Sequence, residues 1–140
     1  MIFLDTNLLV ATIQVVHPHH RASQALYTSL AAGEAAISTH SIAEIYTSIT
    51  RVPPPIQVSP AAAAAILDAL LLKLTPVPLT PEDYLQTIRS AANAGHKGAM
   101  IYDALLLACA RKINAERIYT WNQKHFRALA PDLADRITTP

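Results

Sequence analysis

Short apolar runs alternate along this chain with longer segments of helical periodicity, and this alternation limits the possible folds more than any other feature. The apolar run that ends at Asp5 and the run at residues 35–38 predict strands, and a helical segment follows each of them. Strands that alternate with helices are typical of an α/β domain, so the sequence predicts a mostly parallel sheet. With 140 residues, we expect a single domain over residues 1–140.

The same periodicity gives approximate bounds for each element. We expect strands at residues 1–5, 35–38, 75–79, 117–120 and 136–138. We expect helices at residues 7–14, 19–32, 39–51, 60–74, 80–94, 99–114 and 122–129. Two prolines lie in the third predicted strand, and proline cannot donate to a neighbouring strand, so that strand is expected at a sheet edge.

Composition favours a compact folded domain over a disordered chain. Charged residues make up 15% of the sequence and hydrophobic residues 51%, against about 25% charged in an average protein. The mean hydropathy of +0.24 is high, which suggests an exposed apolar surface for a partner. The formal net charge is +1, so any nucleic-acid binding must depend on local Lys and Arg placement.

Cysteine usage and hydropathy indicate a cellular compartment. Cys109 is the only cysteine, which excludes an internal disulfide framework and suits a reducing environment. It lies in an apolar helical segment and is interpreted as a core residue. We see no secretory signal, and the apolar run at residues 61–72 is too short to span a bilayer. A cytoplasmic protein without a membrane anchor is expected.

Two aspartates stand out against apolar surroundings. Asp5 lies where the first predicted strand ends, and ligand sites of parallel sheets form beyond the carboxyl ends of strands. It would equally suit a helix cap. Asp103 is the only charged residue between positions 98 and 110, in a helix that is apolar on nearly every face. A buried carboxylate there needs a proton, a cation or hydrogen-bond donors.

Glu44 and Asn122 are more ambiguous. On a helical wheel Glu44 lies roughly 150° from the apolar stripe of its helix, at about 100° per residue. That direction suits a solvent-facing side chain, and also one that lines a groove. Asn122 follows the fourth predicted strand, where it would cap the next helix or offer an oxygen ligand to a hard cation.

Carboxylates from separate elements suit one kind of chemistry if they converge. Such a cluster binds oxygen-preferring Mg²⁺ or Mn²⁺ and can support phosphodiester hydrolysis. The chain has three glycines and no glycine-rich phosphate loop, and no Cys/His spacing indicates a zinc site. The neighbouring His17, His19 and His20 are interpreted as part of a loop and a helix start.

Four motifs, taken in order, resemble one known family. They are Phe3-Leu4-Asp5-Thr6-Asn7, Ser41-Ile42-Ala43-Glu44, Tyr102-Asp103-Ala104, and Thr120-Trp121-Asn122 with His125-Phe126. Together they resemble the PIN-domain family, and their spacing is similar to the VapC branch, the toxin nucleases of toxin–antitoxin pairs. The resemblance covers essentially the whole chain.

The resemblance implies a three-layer domain, in which a five-stranded parallel sheet lies between helices. It also implies endonucleolytic cleavage of RNA by an acidic cluster that binds Mg²⁺ or Mn²⁺. Residue by residue, Asp5, Glu44 and Asp103 take the acidic, metal-binding positions. Asn122 falls where many relatives have a fourth acid, while Thr6 and Thr120 would be supporting groups. The family further implies a homodimer and an antitoxin that covers the active-site groove.

RNA contacts are expected from cations near predicted loops and helix ends, namely Lys97, Lys124, Arg127 and Arg51. Tyr46 and Trp121 would stack bases or, as the more ordinary interpretation, pack in the core. Two rival functions stay open. One is an RNA-processing PIN nuclease without an antitoxin, and the other is a non-catalytic RNA-binding or interaction domain with the same fold.

Overall fold

A computed structural model describes residues 1–140 as five strands and seven α-helices, with one short 3₁₀ helix. The strands are β1 (Ile2–Leu4), β2 (Ala35–Ser38), β3 (Leu74–Val77), β4 (Ile118–Tyr119) and β5 (Ile137–Thr138). The α-helices are α1 (Thr6–Ile13), α2 (His20–Ser29), α3 (Thr39–Arg51), α4 (Pro60–Leu71), α5 (Pro81–Asn93), α6 (Met100–Lys112) and α7 (Gln123–Leu129). The 3₁₀ helix, Pro131–Arg136, was not expected.

All neighbouring strands run parallel, in the order β3-β2-β1-β4-β5. The predicted α/β class is therefore confirmed, and the sheet is wholly parallel. Chain order runs outward from β1 through β2 to β3, and then returns to the other side of β1 with β4. Such a reversal opens a crevice beyond the carboxyl ends of the strands. Asp5 directly follows β1, so it lies at this crevice.

The third strand lies at the sheet edge, as its prolines predict. In β3, Pro76 pairs in register with Ile37 of β2, and nothing pairs with the other side of β3. An edge position tolerates proline because no outer neighbour needs its missing N–H.

Both faces of the sheet are covered, which makes a three-layer domain. Along β2, Ala35 and Ile37 pack into one core cluster while Ala36 packs into the other. Along β1, Phe3 and Leu4 divide in the same way. Side chains alternate between sheet faces with a period of two, so each short strand contributes to both cores.

Side-chain caps fix the starts of α4 and α5. The Ser59 hydroxyl accepts a hydrogen bond from the backbone N–H of Ala62 at the start of α4. Thr80 and Asp83 form a reciprocal capping box at the start of α5. The second helix, in contrast, ends at Ser29 instead of residue 32, because Leu30 is already extended.

One expectation about burial is confirmed, for Cys109, and one is corrected, for helix α6. Cys109 is fully buried in the core, as expected. Helix α6 is not buried on every side, because Tyr102 is 49% exposed and the Asp103 side chain is 25% exposed. The start of α6 therefore borders an open cleft. None of the helices combines the length and apolarity that a membrane span requires.

Candidate active site

The three acids singled out from the sequence line one cleft of about 280 Å³. Asp5 follows β1, Glu44 comes from α3 and Asp103 from the first turn of α6. Residues far apart in sequence are thus brought together at the crevice beyond the sheet. The full lining is Asp5, Thr6, Asn7, Val10, His17, Glu44, Ser48, Asp103 and Leu106.

Asp5 is the most buried of the three acids, at 3% exposure. The Thr120 hydroxyl donates a hydrogen bond of 2.6 Å to its Oδ2 atom. Burial raises the pKa of Asp5 from 3.8 to about 7; the Thr120 hydrogen bond opposes this shift, and the nearby Asp103 and Glu44 charges add to it. Asp5 occupies the N-cap position of α1, yet its side chain makes no capping hydrogen bond. Its carboxylate lines the cleft instead of capping the helix.

Glu44 is held by a chain of hydroxyl groups. Thr6 Oγ1 lies 2.7 Å from Glu44 Oε2 and 2.8 Å from Ser41 Oγ. A hydroxyl has one proton, so an arrangement in which Ser41 donates to Thr6 and Thr6 donates to Glu44 satisfies both contacts. His40 Nε2 lies 3.7 Å from the other carboxylate oxygen. Glu44 is half-buried and lines the cleft, so the groove-lining alternative is the one that the structure supports.

Asp103 has a histidine partner. Nδ1 of His125 lies 2.5 Å from Asp103 Oδ2 and 3.1 Å from the Asn122 amide. This nitrogen can donate to the carboxylate or accept from the amide but cannot do both, and the shorter contact to the charged group is the stronger one. Burial raises the pKa of Asp103, and the His125 hydrogen bond opposes that shift.

Asn122 lies beside the cleft without lining it. It is exposed, occupies the N-cap position of α7 and makes no side-chain capping bond, so the capping interpretation is wrong. Its backbone N–H instead donates to Thr120 Oγ1 at 2.9 Å, while its amide faces His125. A role for Asn122 at the metal stays a prediction.

The sequence patterns did not predict a role in the site for His17 and Ser48, which line the cleft, or for His125, which holds Asp103. His17 comes from the loop between α1 and α2, and its pKa is lowered by burial and by the nearby His19 and His20. Ser48 lies one helical turn after Glu44, so the periodicity of α3 was a signal for it. No local pattern places the His17 loop over the cleft.

The cations expected to bind RNA lie outside the cleft. All four are exposed, and Arg127 also donates to the carbonyl of Ile137 at 2.8 Å. None of the four lines the cleft. Their contacts with RNA stay predictions, and the Arg127 contact shows a structural role for that side chain.

A larger cavity of about 470 Å³ lies between α5 and α6, away from the acids. Its charged groups are already paired, with Lys112 Nζ 2.7 Å from Asp83 and Arg111 bonded to Asp132. The acidic cleft is smaller but brings three carboxylates together with no Lys or Arg in its lining, so it is the candidate site.

Three solved structures share this fold at low sequence identity. The VapC20 toxin of Mycobacterium tuberculosis, which cleaves the sarcin–ricin loop, is 22% identical over 91% of this chain and 95% of its own, with a TM-score of 0.73. VapBC2 of Rickettsia felis, bound to a promoter DNA fragment, is 21% identical over 91% and 92%, with a TM-score of 0.61. FitAB bound to a DNA fragment is 19% identical over 100% and 95%, with a TM-score of 0.64.

No curated protein matches the sequence. The family model described as the PIN domain matches residues 2–130. That range contains the strand that precedes Asp5, the helices that present Glu44 and Asp103, and the Thr120 and His125 side chains that hold the two aspartates. The match covers nearly all of the chain and agrees with the parallel five-stranded sheet, and the chain therefore belongs to the PIN-domain family.

Proposed function

We propose that this protein is a divalent-metal-dependent endoribonuclease and acts as the toxin of a toxin–antitoxin pair. The observation that carries the proposal is the shared cleft of Asp5, Glu44 and Asp103. Membership of the PIN family and the fold similarity to a toxin that cleaves the sarcin–ricin loop support it.

The donor set suits Mg²⁺ or Mn²⁺ in kind. All three acidic groups offer oxygen atoms, the cleft contains no cysteine, and hard cations prefer oxygen ligands. A buried carboxylate such as Asp5 is costly without compensation, which a cation would supply. As the side chains stand, no three His, Cys, Asp or Glu residues form a ready metal-binding group. Two of the acids, together with water ligands, suffice to hold Mg²⁺.

Asp5 and Asp103 are the proposed principal ligands, and Glu44 binds the ion directly or through water. When bound, the ion neutralises phosphate charge and makes water a better nucleophile. The protein's own groups hold the ligands in place: Thr120 fixes Asp5, and Thr6 fixes Glu44. Fixed ligands reduce the reorganisation that the reaction requires.

The proposed ligands must also be ionised at working pH. Without a cation, the Asp5 carboxyl with a pKa of about 7 is close to half protonated at neutral pH. A bound cation favours the ionised form, so metal binding and proton release are coupled at this residue.

Exposed cations and the similar structures support the proposed RNA contacts and the proposed antitoxin partner. Lys97, Lys124 and Arg51 are exposed and are proposed to contact RNA phosphates outside the cleft. An antitoxin is proposed because the similar structures include VapBC and FitAB complexes. The lone buried Cys109 suits the proposed cytoplasmic location, where the RNA substrate is found.

A homodimer is proposed on an apolar stripe of α5. Tyr84, Leu85 and Ile88 are 36%, 47% and 46% exposed, and their spacing places them on one side of the helix. Such a stripe suits burial against a second copy. Light scattering should show a dimer at micromolar concentration, and Leu85→Glu should shift it to monomer. A wild-type monomer would contradict the homodimer.

A cleavage assay tests the proposed activity. Purified protein is incubated with end-labelled RNA in Mg²⁺ or Mn²⁺, and in EDTA as the control. We expect internal cleavage products with metal and intact RNA in EDTA. Binding without cleavage would favour the non-catalytic alternative and contradict the proposal.

The toxin role is tested separately by the neighbouring reading frame. A short reading frame whose protein product binds this chain and inhibits it would support the toxin role. The absence of such a reading frame would favour an RNA-processing nuclease.

A further inference from the structure

Two aromatic rings stack at the edge of the acidic cleft. His40, in the first turn of α3, and Tyr102, in the first turn of α6, have ring centroids 5.5 Å apart and an interplanar angle of 7°. These values fit an offset stack of two rings. The pair therefore bridges the two helices that present Glu44 and Asp103.

The stacked pair adjoins the carboxylates from both sides. His40 Nε2 lies 3.7 Å from Glu44 Oε1, one helical turn away. Tyr102 immediately precedes Asp103 in α6, and Leu106, one turn later, lines the cleft. Anything bound on the pair would thus lie next to the proposed site of cleavage.

Tyr102 leaves much of its ring uncovered. It is 49% exposed, although His40 covers one face of the ring. About half of the residue therefore stays accessible to solvent with His40 in place. An exposed aromatic ring that is already fixed by a stacked partner loses little freedom when it binds another flat group.

The cleft itself offers an RNA strand no cationic side chain. No Lys or Arg lines it, so a phosphate near the acids lacks a direct protein counter-charge. Stacking of a base on an aromatic ring does not depend on charge and accepts any base. A stacking site is therefore the kind of contact that this cleft can provide.

We propose that Tyr102, backed by His40, is a stacking platform for an unpaired RNA base beside the scissile phosphate. The stacked base must be unpaired, since a base within a duplex is stacked on its neighbours and is not available. This inference rests on the proposed ribonuclease function and adds a base-binding residue to it.

Trp121 does not offer the same platform. Its ring is covered by His19, with centroids 3.8 Å apart and an interplanar angle of 8°. Its indole N–H donates to Ser23 at 2.9 Å, and the ring packs against the core. These contacts give Trp121 a structural role.

Fluorescence of 2-aminopurine reports the stacking directly, because stacking quenches this base. The probe is a short single-stranded RNA that carries 2-aminopurine next to the cleavage site mapped with wild-type protein. It is titrated in EDTA so that it stays intact. The variants are Tyr102→Ala and Tyr102→Phe, and the matched control is Tyr46→Ala. Tyr46 is a similarly exposed tyrosine, at 39%, and lies two residues from Glu44, on nearly the opposite side of α3.

We expect wild type, Tyr102→Phe and Tyr46→Ala to quench the probe at saturation. Tyr102→Ala should abolish the quenching and weaken binding by roughly 5- to 150-fold, the range for the loss of one stacked base. Undiminished quenching and binding by Tyr102→Ala would overturn the inference, whereas wild-type cleavage would still support the proposed nuclease function. Absence of any wild-type cleavage would instead reject the proposed function.

Discussion

The Thr120 hydroxyl donates a 2.6 Å hydrogen bond to Asp5 Oδ2, across 115 positions of sequence. Both residues are buried, Thr120 fully and Asp5 to 3% exposure. They directly follow the neighbouring strands β1 and β4, so the bond joins the sheet ends at the crevice. The same hydroxyl accepts the backbone N–H of Asn122 at 2.9 Å, which fixes its direction. Thr120 is therefore the group that orients Asp5.

Replacing Thr120 by valine should lower the free energy of unfolding. Thr120→Val keeps the shape but removes the donor to a buried carboxylate, and the loss of such a partner costs about 1–3 kcal/mol. The loss should be larger at about pH 8 than at about pH 5, because the hydroxyl stabilises the ionised form. Urea unfolding at both pH values measures this, with Thr120→Ser as the control that keeps the hydroxyl. Equal stability of Thr120→Val and wild type at pH 8 would contradict the role.

Stability without metal should depend on the Asp5 carboxyl. Its folded pKa of about 7 lies above its ordinary 3.8, so the folded state holds the proton more tightly than the unfolded chain does. The resulting stability is fully present below about pH 4 and is lost as pH rises to about 7. At about 1.4 kcal/mol per pKa unit, the loss is on the order of 4 kcal/mol.

Asp5→Asn removes this titration and serves as the reference. The unfolding free energies of wild type and Asp5→Asn, measured in EDTA from about pH 4 to about pH 8, should diverge as pH rises, with wild type falling. Parallel curves over this range would show that Asp5 titrates at its ordinary pKa.

Divalent metal should stabilise the fold. Metal that binds only the folded protein adds about 1.4 kcal/mol at ten times its dissociation constant. For a domain of this size, that is roughly 3–5 °C in melting temperature. The increase should be larger at about pH 8 than at about pH 5, because protons compete for Asp5. The Asp5→Asn/Asp103→Asn double variant should show no increase. A wild-type melting temperature that does not change with Mg²⁺ or Mn²⁺ would contradict the proposed metal site.

His125 is a positioning residue for Asp103, and its removal should weaken metal binding. Groups that hold a ligand typically contribute about 10- to 100-fold to metal affinity or activity. Mn²⁺ binding by His125→Ala, measured by calorimetry at constant pH, should fall by about that factor. Asn122→Ala removes the neighbouring amide and should have a smaller effect. Unchanged Mn²⁺ affinity in His125→Ala would contradict the positioning role of the 2.5 Å contact to Asp103.

Local patterns in the sequence predict the fold well, because proline positions, helix caps and apolar periodicity each depend on only a few neighbouring residues. Pro76 places β3 at the edge since proline lacks an N–H, and the capping box of Thr80 and Asp83 marks the start of α5. The charge of Asp103 in an apolar segment indicates that its carboxylate needs a proton, a cation or hydrogen-bond donors. It is half-buried and faces a cleft, where the apolar pattern predicted burial on all sides.

The parts of the site that local patterns do not predict depend on how loops and helices pack. His17 reaches the cleft because the loop between α1 and α2 packs beside it, and His125 contacts Asp103 because α6 and α7 are neighbours in space. Tyr46 was expected to pack in the core or to stack bases, and it is 39% exposed, because it lies at the margin of the buried stripe of α3 on the side away from Glu44. Its position on the helical wheel alone does not give the angle at which α3 packs.

Asp5 and Asp103 are proposed to be essential for RNA cleavage, and one comparison tests this most directly. Single-turnover cleavage of one RNA in Mg²⁺ is measured for wild type, Asp5→Asn, Asp103→Asn and the control Asp68→Asn, whose acid is exposed on α4. An amide keeps the shape of the acid but not its charge, so each site variant should lose at least about 100-fold in rate while its circular dichroism stays native. Asp68→Asn should cleave like wild type. Full activity of either folded site variant would contradict the account.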